Sequence, residues 1–223
     1  MTQLLGKCPP DREQFRALAD AGFDGFELYL DCEHLDRFDT TLQTCRETPH
    51  EIAVVHTPHV TLEEPEYFAA AGRLAGRLGA YLLIHSSPIG LEATVAAVPA
   101  EPPATAYGYE NGPDNTTAAI ETHILGSPAG LVLDVAHLYL AAPNQFDEAF
   151  AHLTDSYADR IDHVHLCDAT AEDDHRQLGA GEIPLETVVD WIETAYDGTV
   201  TLELMSDRQP TAYDRFSDIA ARV

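Results

Sequence analysis

Eight short apolar runs alternate with eight helix-like stretches along the 223 residues, and this alternation narrows the possible folds more than any other feature of the chain. The runs are Gln3–Gly6, Asp24–Leu30, Ile52–Thr57, Ala80–His85, Thr105–Glu110, Gly130–Asp134, Ile161–Leu166 and Thr199–Leu204. The helical stretches fall at Asp11–Asp20, Leu35–Glu47, Pro65–Leu78, Ile89–Val98, Thr116–Leu125, Phe146–Thr154, Pro184–Ala195 and Ala212–Arg222. The runs are almost continuously apolar, as parallel strands covered by helices must be. Gly22 and Gly79 stand where helices end, and Pro65 and Pro184 where helices begin. Strict βα alternation repeated eight times predicts an α/β fold, a (β/α)8 TIM barrel over residues 1–223, with a doubly wound open sheet as the alternative. The Pro99–Pro103 patch is too short for a domain linker.

Six of the runs end in a side chain able to bind metal: His56, His85, Glu110, Asp134, His165 and Glu203. In barrels of this kind the active site lies at the C-terminal ends of the strands. Two residues earlier, and so on the same face, stand Val54, Leu83, Gly108, Val132, His163 and Thr201. Most of these suit a barrel interior; His163 reads as a buried, hydrogen-bonded core histidine. His137, Asp173 and His175 follow shortly after strand ends and extend the candidates to nine. A single strand-end histidine is commonly structural, and a single Asp before a helix is commonly an N-cap. Six strand ends of this type at one mouth predict a metal site. Imidazole with carboxylate suits zinc, manganese or iron. His34, His50, His123 and His152 read as surface or loop residues, and His59 as a lining residue of the mouth.

Charge narrows the partners. The chain has 38 Asp and Glu against 12 Lys and Arg, a net charge of -26, and Lys7 is its only lysine. Acids spread this evenly suit a halophilic surface kept soluble in concentrated salt. Such a field makes duplex DNA an unfavourable partner, since that binding rests on Lys and Arg at phosphates. Cys8, Cys32, Cys45 and Cys167 have no CxxC spacing and predict neither a disulfide framework nor a thiolate site. The opening MTQLLGKCPP has no apolar core of a signal peptide, and no run is long enough for a membrane span, so a cytoplasmic protein is expected.

Several segments carry a family resemblance: Ala21–Leu28, Val55–Pro58, Leu83–His85, Tyr109–Asn111, Leu133–His137, His165–Asp168, Asp173–His175 with Gly179–Gly181, and Leu202–Leu204. In this order they resemble the xylose-isomerase-like barrel superfamily, which includes the endonuclease IV (AP endonuclease family 2) enzymes and sugar phosphate isomerases and epimerases. The resemblance implies one of two sites. In the isomerases and epimerases one divalent ion (Mn2+, Mg2+ or Co2+) is held by residues matching Glu110, Asp134, His165 and Glu203, with His137 and Arg176 placed to hold substrate oxygens. In the endonuclease IV family up to three zinc ions use residues matching His56, His85, Glu110, Asp134, His137, His165, Asp173, His175 and Glu203. The loop Asp168–Asp173 is shorter than in those endonucleases, and His59 stands where they carry a duplex-invading aromatic.

On ligand number, the leading expectation is multinuclear-zinc hydrolysis of a small phosphoester, with Glu110 bridging metals or orienting water. The alternative is isomerisation or epimerisation of a sugar or sugar phosphate, with Glu110 and Glu203 as acid and base. A non-catalytic metal-binding barrel is the minor alternative.

Overall fold

The computed structural model describes residues 2–59, 65–85, 90–97 and 105–223. Eight parallel strands close into a barrel: β1 (Gln3–Cys8), β2 (Gly25–Tyr29), β3 (Glu51–His56), β4 (Tyr81–Ile84), β5 (Tyr107–Glu110), β6 (Gly130–Asp134), β7 (Ile161–Leu166) and, last in the chain, β10 (Thr199–Leu202). β10 pairs with β1 and shuts the ring. Between β7 and β10 a short antiparallel hairpin, β8 (Asp168–Thr170) and β9 (Asp173–Arg176), stands apart from the barrel sheet. The sequence reading treats this polar stretch as loop.

The helices are α1 (Arg12–Asp20), α2 (Cys32–Asp36), α3 (Phe38–Arg46), α4 (Pro65–Leu78), α5 (Leu91–Ala97), α6 (Thr117–Ala119), α7 (Val135–Ala141), α8 (Phe146–Ser156), α9 (Leu185–Ala195) and α10 (Gln209–Ala220). Three differ from expectation. The stretch Leu35–Glu47 is two helices, broken where Arg37 leaves helical geometry at φ -101°, ψ 39°. Thr116–Leu125 starts as a single α turn and continues over Ile120–Leu125 as a π-helix. α7 follows β6 with no intervening loop and is absent from the sequence reading. The Pro99–Pro103 patch, and Ile89 and Val98 at the ends of the fourth helical stretch, lie outside the described residues.

Side-chain alternation divides each strand between two cores. Outward residues such as Leu4, Phe26, Leu28, Val55, Leu133 and Val164 join the helices in the larger apolar layer. Inward residues Leu5, Val54, Leu83 and Val132 form a separate apolar plug. Gly108 leaves room for Tyr81, whose hydroxyl a Cβ at that position would strike. Above the plug the inward positions turn polar, and the candidate site begins.

Candidate metal centre

β6 runs straight into α7, and the residue at the junction does two things at once. Asp134 Oδ1 accepts from the His137 backbone N–H at 2.7 Å, capping the helix. Its other oxygen, Oδ2, is buried without a hydrogen-bond partner. Asn111, just past β5, locks this turn. Its side chain donates to the Asp134 carbonyl (3.0 Å) and accepts from the Asp134 N–H (2.8 Å).

Glu110 ends β5, His165 lies in β7 and Glu203 follows β10. With Asp134 they form a buried group in which one ligand atom from each lies within 4.8 Å of all the others. His165 Nδ1 is the hub, 2.8 Å from Glu110 Oε1, 3.1 Å from Glu203 Oε2 and 3.9 Å from Asp134 Oδ2. Three carboxylates converging out of water need cations. Burial opposes the charge on His165, yet Glu203, Glu27 and Glu110 raise its pKa well above the ordinary value. Burial would likewise raise Glu110 and Glu203, but His165 foremost holds both carboxyls well below their usual range. At Asp134 burial, helped by Glu203 and Glu110, outweighs the pull of His137 and His165 and lifts the carboxyl to about 7. Three carboxylates and an imidazole are a donor set suited to a divalent ion. The partnerless oxygens Asp134 Oδ2 and Glu203 Oε2 fit that use.

The other expected residues are distributed unevenly around this group. His56 and His85 direct Nε2 at Glu110 Oε2 from 3.7 and 3.5 Å. His59 stacks on His85 at 4.1 Å between centroids and lines the mouth. His137 Nδ1 bonds the Asn111 carbonyl (2.9 Å), and its Nε2 lies 3.4 Å from Asp174. Against the penalty of burial, Asp134 and Asp174 raise His137 to about 10. His175 is half exposed at φ 50°, a left-handed conformation uncommon outside glycine. Its Nδ1 meets Asp174 at 2.6 Å, and its Nε2 is 3.9 Å from Glu203.

Two of the expected residues stand away from the four-ligand group in this structure. Asp173 starts a strand rather than approaching the cluster, and its exposed carboxylate pairs with Arg176 at 3.2 Å. Asp174 faces the two histidines instead, because Arg176 holds Asp173 at the solvent side. Arg176 bonds Asp173 through Nη1 (3.2 Å) and the Ala180 carbonyl through Nε (3.0 Å), both within the hairpin and the loop that follows it.

The sequence reading missed a layer below the cluster. Glu27, fully buried in β2, accepts from Thr201 Oγ1 (2.8 Å) and lies within hydrogen-bonding distance of His165 Nε2 (2.8 Å) and His163 Nε2 (3.1 Å). Lys7 of β1 reaches Glu27 Oε1 (3.0 Å) and Glu203 Oε1 (2.5 Å). His163 is the expected hydrogen-bonded core histidine, with Thr199 Oγ1 on its other nitrogen at 2.6 Å. A signal existed: Glu27 sits in the middle of an apolar strand, between Phe26 and Leu28. Asp168 was also passed over. Its carboxylate accepts from the backbone N–H groups of Ala169, Gly179, Gly181 and Ile183, and so folds the Gly179–Gly181 loop beneath the mouth.

Comparison with known proteins agrees with this architecture. Residues 102–218 match the family model described as the xylose isomerase-like TIM barrel. No curated protein matches the chain by sequence. Among solved structures, the 3-keto-D-glucoside 4-epimerase YcjR of E. coli superposes with a TM-score of 0.70 at 16% identity, covering 99% of this chain and 100% of that one. A D-allulose 3-epimerase from Methylomonas sp., in complex with D-allulose, gives 0.64 at 16% identity, covering 99% and 95%. A xylose isomerase-like TIM barrel protein from Mycobacterium smegmatis, in complex with magnesium, gives 0.59 at 13% identity, covering 99% and 96%. At these identities the likeness is one of fold.

Proposed function

The chain belongs to the xylose isomerase-like TIM-barrel family, and from that premise we propose that it is a divalent-metal-dependent isomerase or epimerase of a small sugar or sugar phosphate, with residues 1–223 as one catalytic domain. The observation that carries the reading is the buried four-ligand group Glu110, Asp134, His165 and Glu203 at the C-terminal mouth of the barrel. The solved epimerases of like fold support it.

A divalent ion held there would chelate adjacent substrate oxygens and acidify the C–H bond between them. Glu110 and Glu203 project from β5 and from the end of β10, with β6 and β7 between them in the barrel order. They therefore approach a substrate at the mouth from different sides. Against the penalty of burial, His165 foremost holds both carboxyls well below their usual range, which favours the ionised form that a general base needs. In an isomerisation one of them would remove the proton from carbon and, then protonated, return it at the neighbouring carbon; in an epimerisation the other, after taking up a proton from solvent, would deliver it to the opposite face. His137 would bond a substrate oxygen through Nε2, exchanging its 3.4 Å contact with Asp174, while Nδ1 stays on the Asn111 carbonyl. His59 and His85 wall the β3–β4 side.

Multinuclear phosphoester hydrolysis is the second reading. It is favoured by one observation, the approach of His56 and His85 to the far oxygen of Glu110. The position of Asp173 weighs against a third ion bound as in the endonuclease pattern. Elemental analysis of the purified protein, joined to a turnover panel of ketoses, ketose phosphates and a small phosphodiester, separates the two. One transition-metal or magnesium ion per chain, with sugar turnover, is expected. Two or three zinc ions with phosphodiester cleavage would replace the isomerase reading by the hydrolase. The panel is run in dilute and in molar salt, because a net charge of -26 suits a halophilic protein.

A further inference from the structure

We propose that Lys7 and Glu27 form a positioning pair that presets two metal ligands, Glu27 by choosing the tautomer of His165 and Lys7 by choosing which oxygen of Glu203 faces the ion. The inference rests on the mononuclear reading above and adds to it residues that lie outside the ligand set.

The geometry is specific. An ionised Glu27 carboxylate only accepts hydrogen bonds. His165 Nε2, 2.8 Å from Glu27 Oε2, must therefore carry the hydrogen. Nδ1 faces Glu110, Asp134 and Glu203 and carries a hydrogen of its own until an ion displaces it; because Glu27 retains the hydrogen on Nε2, it is the Nδ1 lone pair that becomes free for the ion. Carboxylate partners behind ligand histidines fix ring orientation and tautomer in this way. Thr201 and His163 hold the same Glu27 oxygen, so the carboxylate cannot rotate without breaking several bonds. On the other side, the Lys7 ammonium takes Glu203 Oε1 and leaves Oε2 facing His165 Nδ1.

Residue choice points the same way. Lys7 is the only lysine beside eleven arginines in this chain. It stands inside the barrel, where a compact ammonium reaches two carboxylates at once. A planar guanidinium is bulkier and favours two parallel bonds to one carboxylate. A buried ion pair of this sort is a poor source of stability but an effective device for fixing geometry.

Simple electrostatics and positioning make opposite predictions for Lys7. Removing a cation next to a metal site should tighten divalent binding if only charge matters. If Lys7 sets the Glu203 geometry, its removal weakens binding. The test is calorimetric titration of the wild type, Glu27→Gln and Lys7→Met with Mn2+, with circular dichroism to confirm folding. In parallel, 15N NMR of histidine-labelled, Mg2+-loaded wild type reads the His165 tautomer without any variant. We expect both variants to weaken Mn2+ binding by roughly 10- to 100-fold, the range typical of outer-shell partners. We also expect the NMR signal of an Nε2-protonated imidazole. Three results would each overturn the pair alone while leaving a metal-binding wild type intact: tighter binding by Lys7→Met, wild-type affinity in Glu27→Gln, or an Nδ1-protonated His165. A wild type that binds no Mn2+ overturns both the pair and the function it rests on.

Discussion

Six barrel strands carry their chemistry at the rim, whereas β2 carries a carboxylate one layer further in, joined to the rim by Lys7 of β1. In β3 to β7 and β10 the polar residue comes at or just after the final strand position, or one before it. There a neighbouring turn, such as the Asp134 cap, holds it. Lys7 and Glu27 instead face each other in register across β1 and β2, and Glu27 is level with Val54, one inward step below His56. Rim groups keep lone pairs open to an incoming ion. Glu27 is held from both sides: His163, His165 and Thr201 share its Oε2, and the Lys7 ammonium lies 3.0 Å from Oε1. The difference separates residues that would touch an ion from residues that hold its ligands still.

The largest break in that comparison comes from Asp134→Asn. Asparagine still caps α7 through its side-chain oxygen, so the fold should persist, with the melting temperature near that of the wild type. The charge at Oδ2 is lost. Metal assistance is worth several kcal/mol, so kcat/KM should fall by roughly a thousandfold or more, with loss of the bound ion by elemental analysis. Retention of ion and rate would remove Asp134 from the ligand set and leave it as a cap alone.

The rim was readable in the sequence because barrel strands have a fixed polarity. Any His, Asp or Glu that ends an apolar run must emerge at the same mouth, which is why Glu110, Asp134, His165 and Glu203 could be identified together. The eight strands were readable for the same reason, since each is apolar on both faces and bounded by turn residues. What was missed depends on contacts that only the folded chain makes, some within a turn and some between strands. Val135–Ala141 continues the apolar run of β6, so nothing local marks the change from strand to helix except the cap that Asp134 makes. Asp173 and Asp174 are adjacent and chemically equal, and only the pairing of Asp173 with Arg176 sends one to solvent and the other to the histidines. Lys7 and Glu27 are twenty residues apart and become partners only when β1 and β2 pair.

His85→Ala probes the rim where it is least committed. His85 shares the Glu110 side of the mouth with His56 and stacks on His59, and it stands outside the four-ligand group. With one ion per chain, the variant should keep that ion and lose less than about tenfold in kcat/KM, expressed mainly in KM, as for a residue that binds substrate rather than the transition state. Elemental analysis of the variant beside the wild type checks this. Loss of an ion together with a rate drop of about a hundredfold would place His85 among the ligands and restore the multinuclear reading.

The smallest expected effect concerns salt, and it tests whether the inner layer is insulated from the surface. Most of the net charge of -26 cannot lie in the centre, where Lys7 and His165 offset the carboxylates. It belongs to the exposed helices and loops, where ions screen it. Raising NaCl from 0.1 to 1 M shortens the Debye length from ~10 to ~3 Å. Repulsion across the outer surface then falls, and the melting temperature should rise. The Lys7–Glu27 contact at 3.0 Å joins a fully buried carboxylate to an ammonium only 11% exposed, and so leaves those ions little access. The ratio of Mn2+ dissociation constants between Glu27→Gln and wild type should therefore change by less than about twofold over the same range, as for a pair screened far less than exposed charges. A ratio that collapses towards one in molar salt would mean that Glu27 acts as a distant charge rather than through its bond to His165, and the distinction between rim and inner layer would lose its basis.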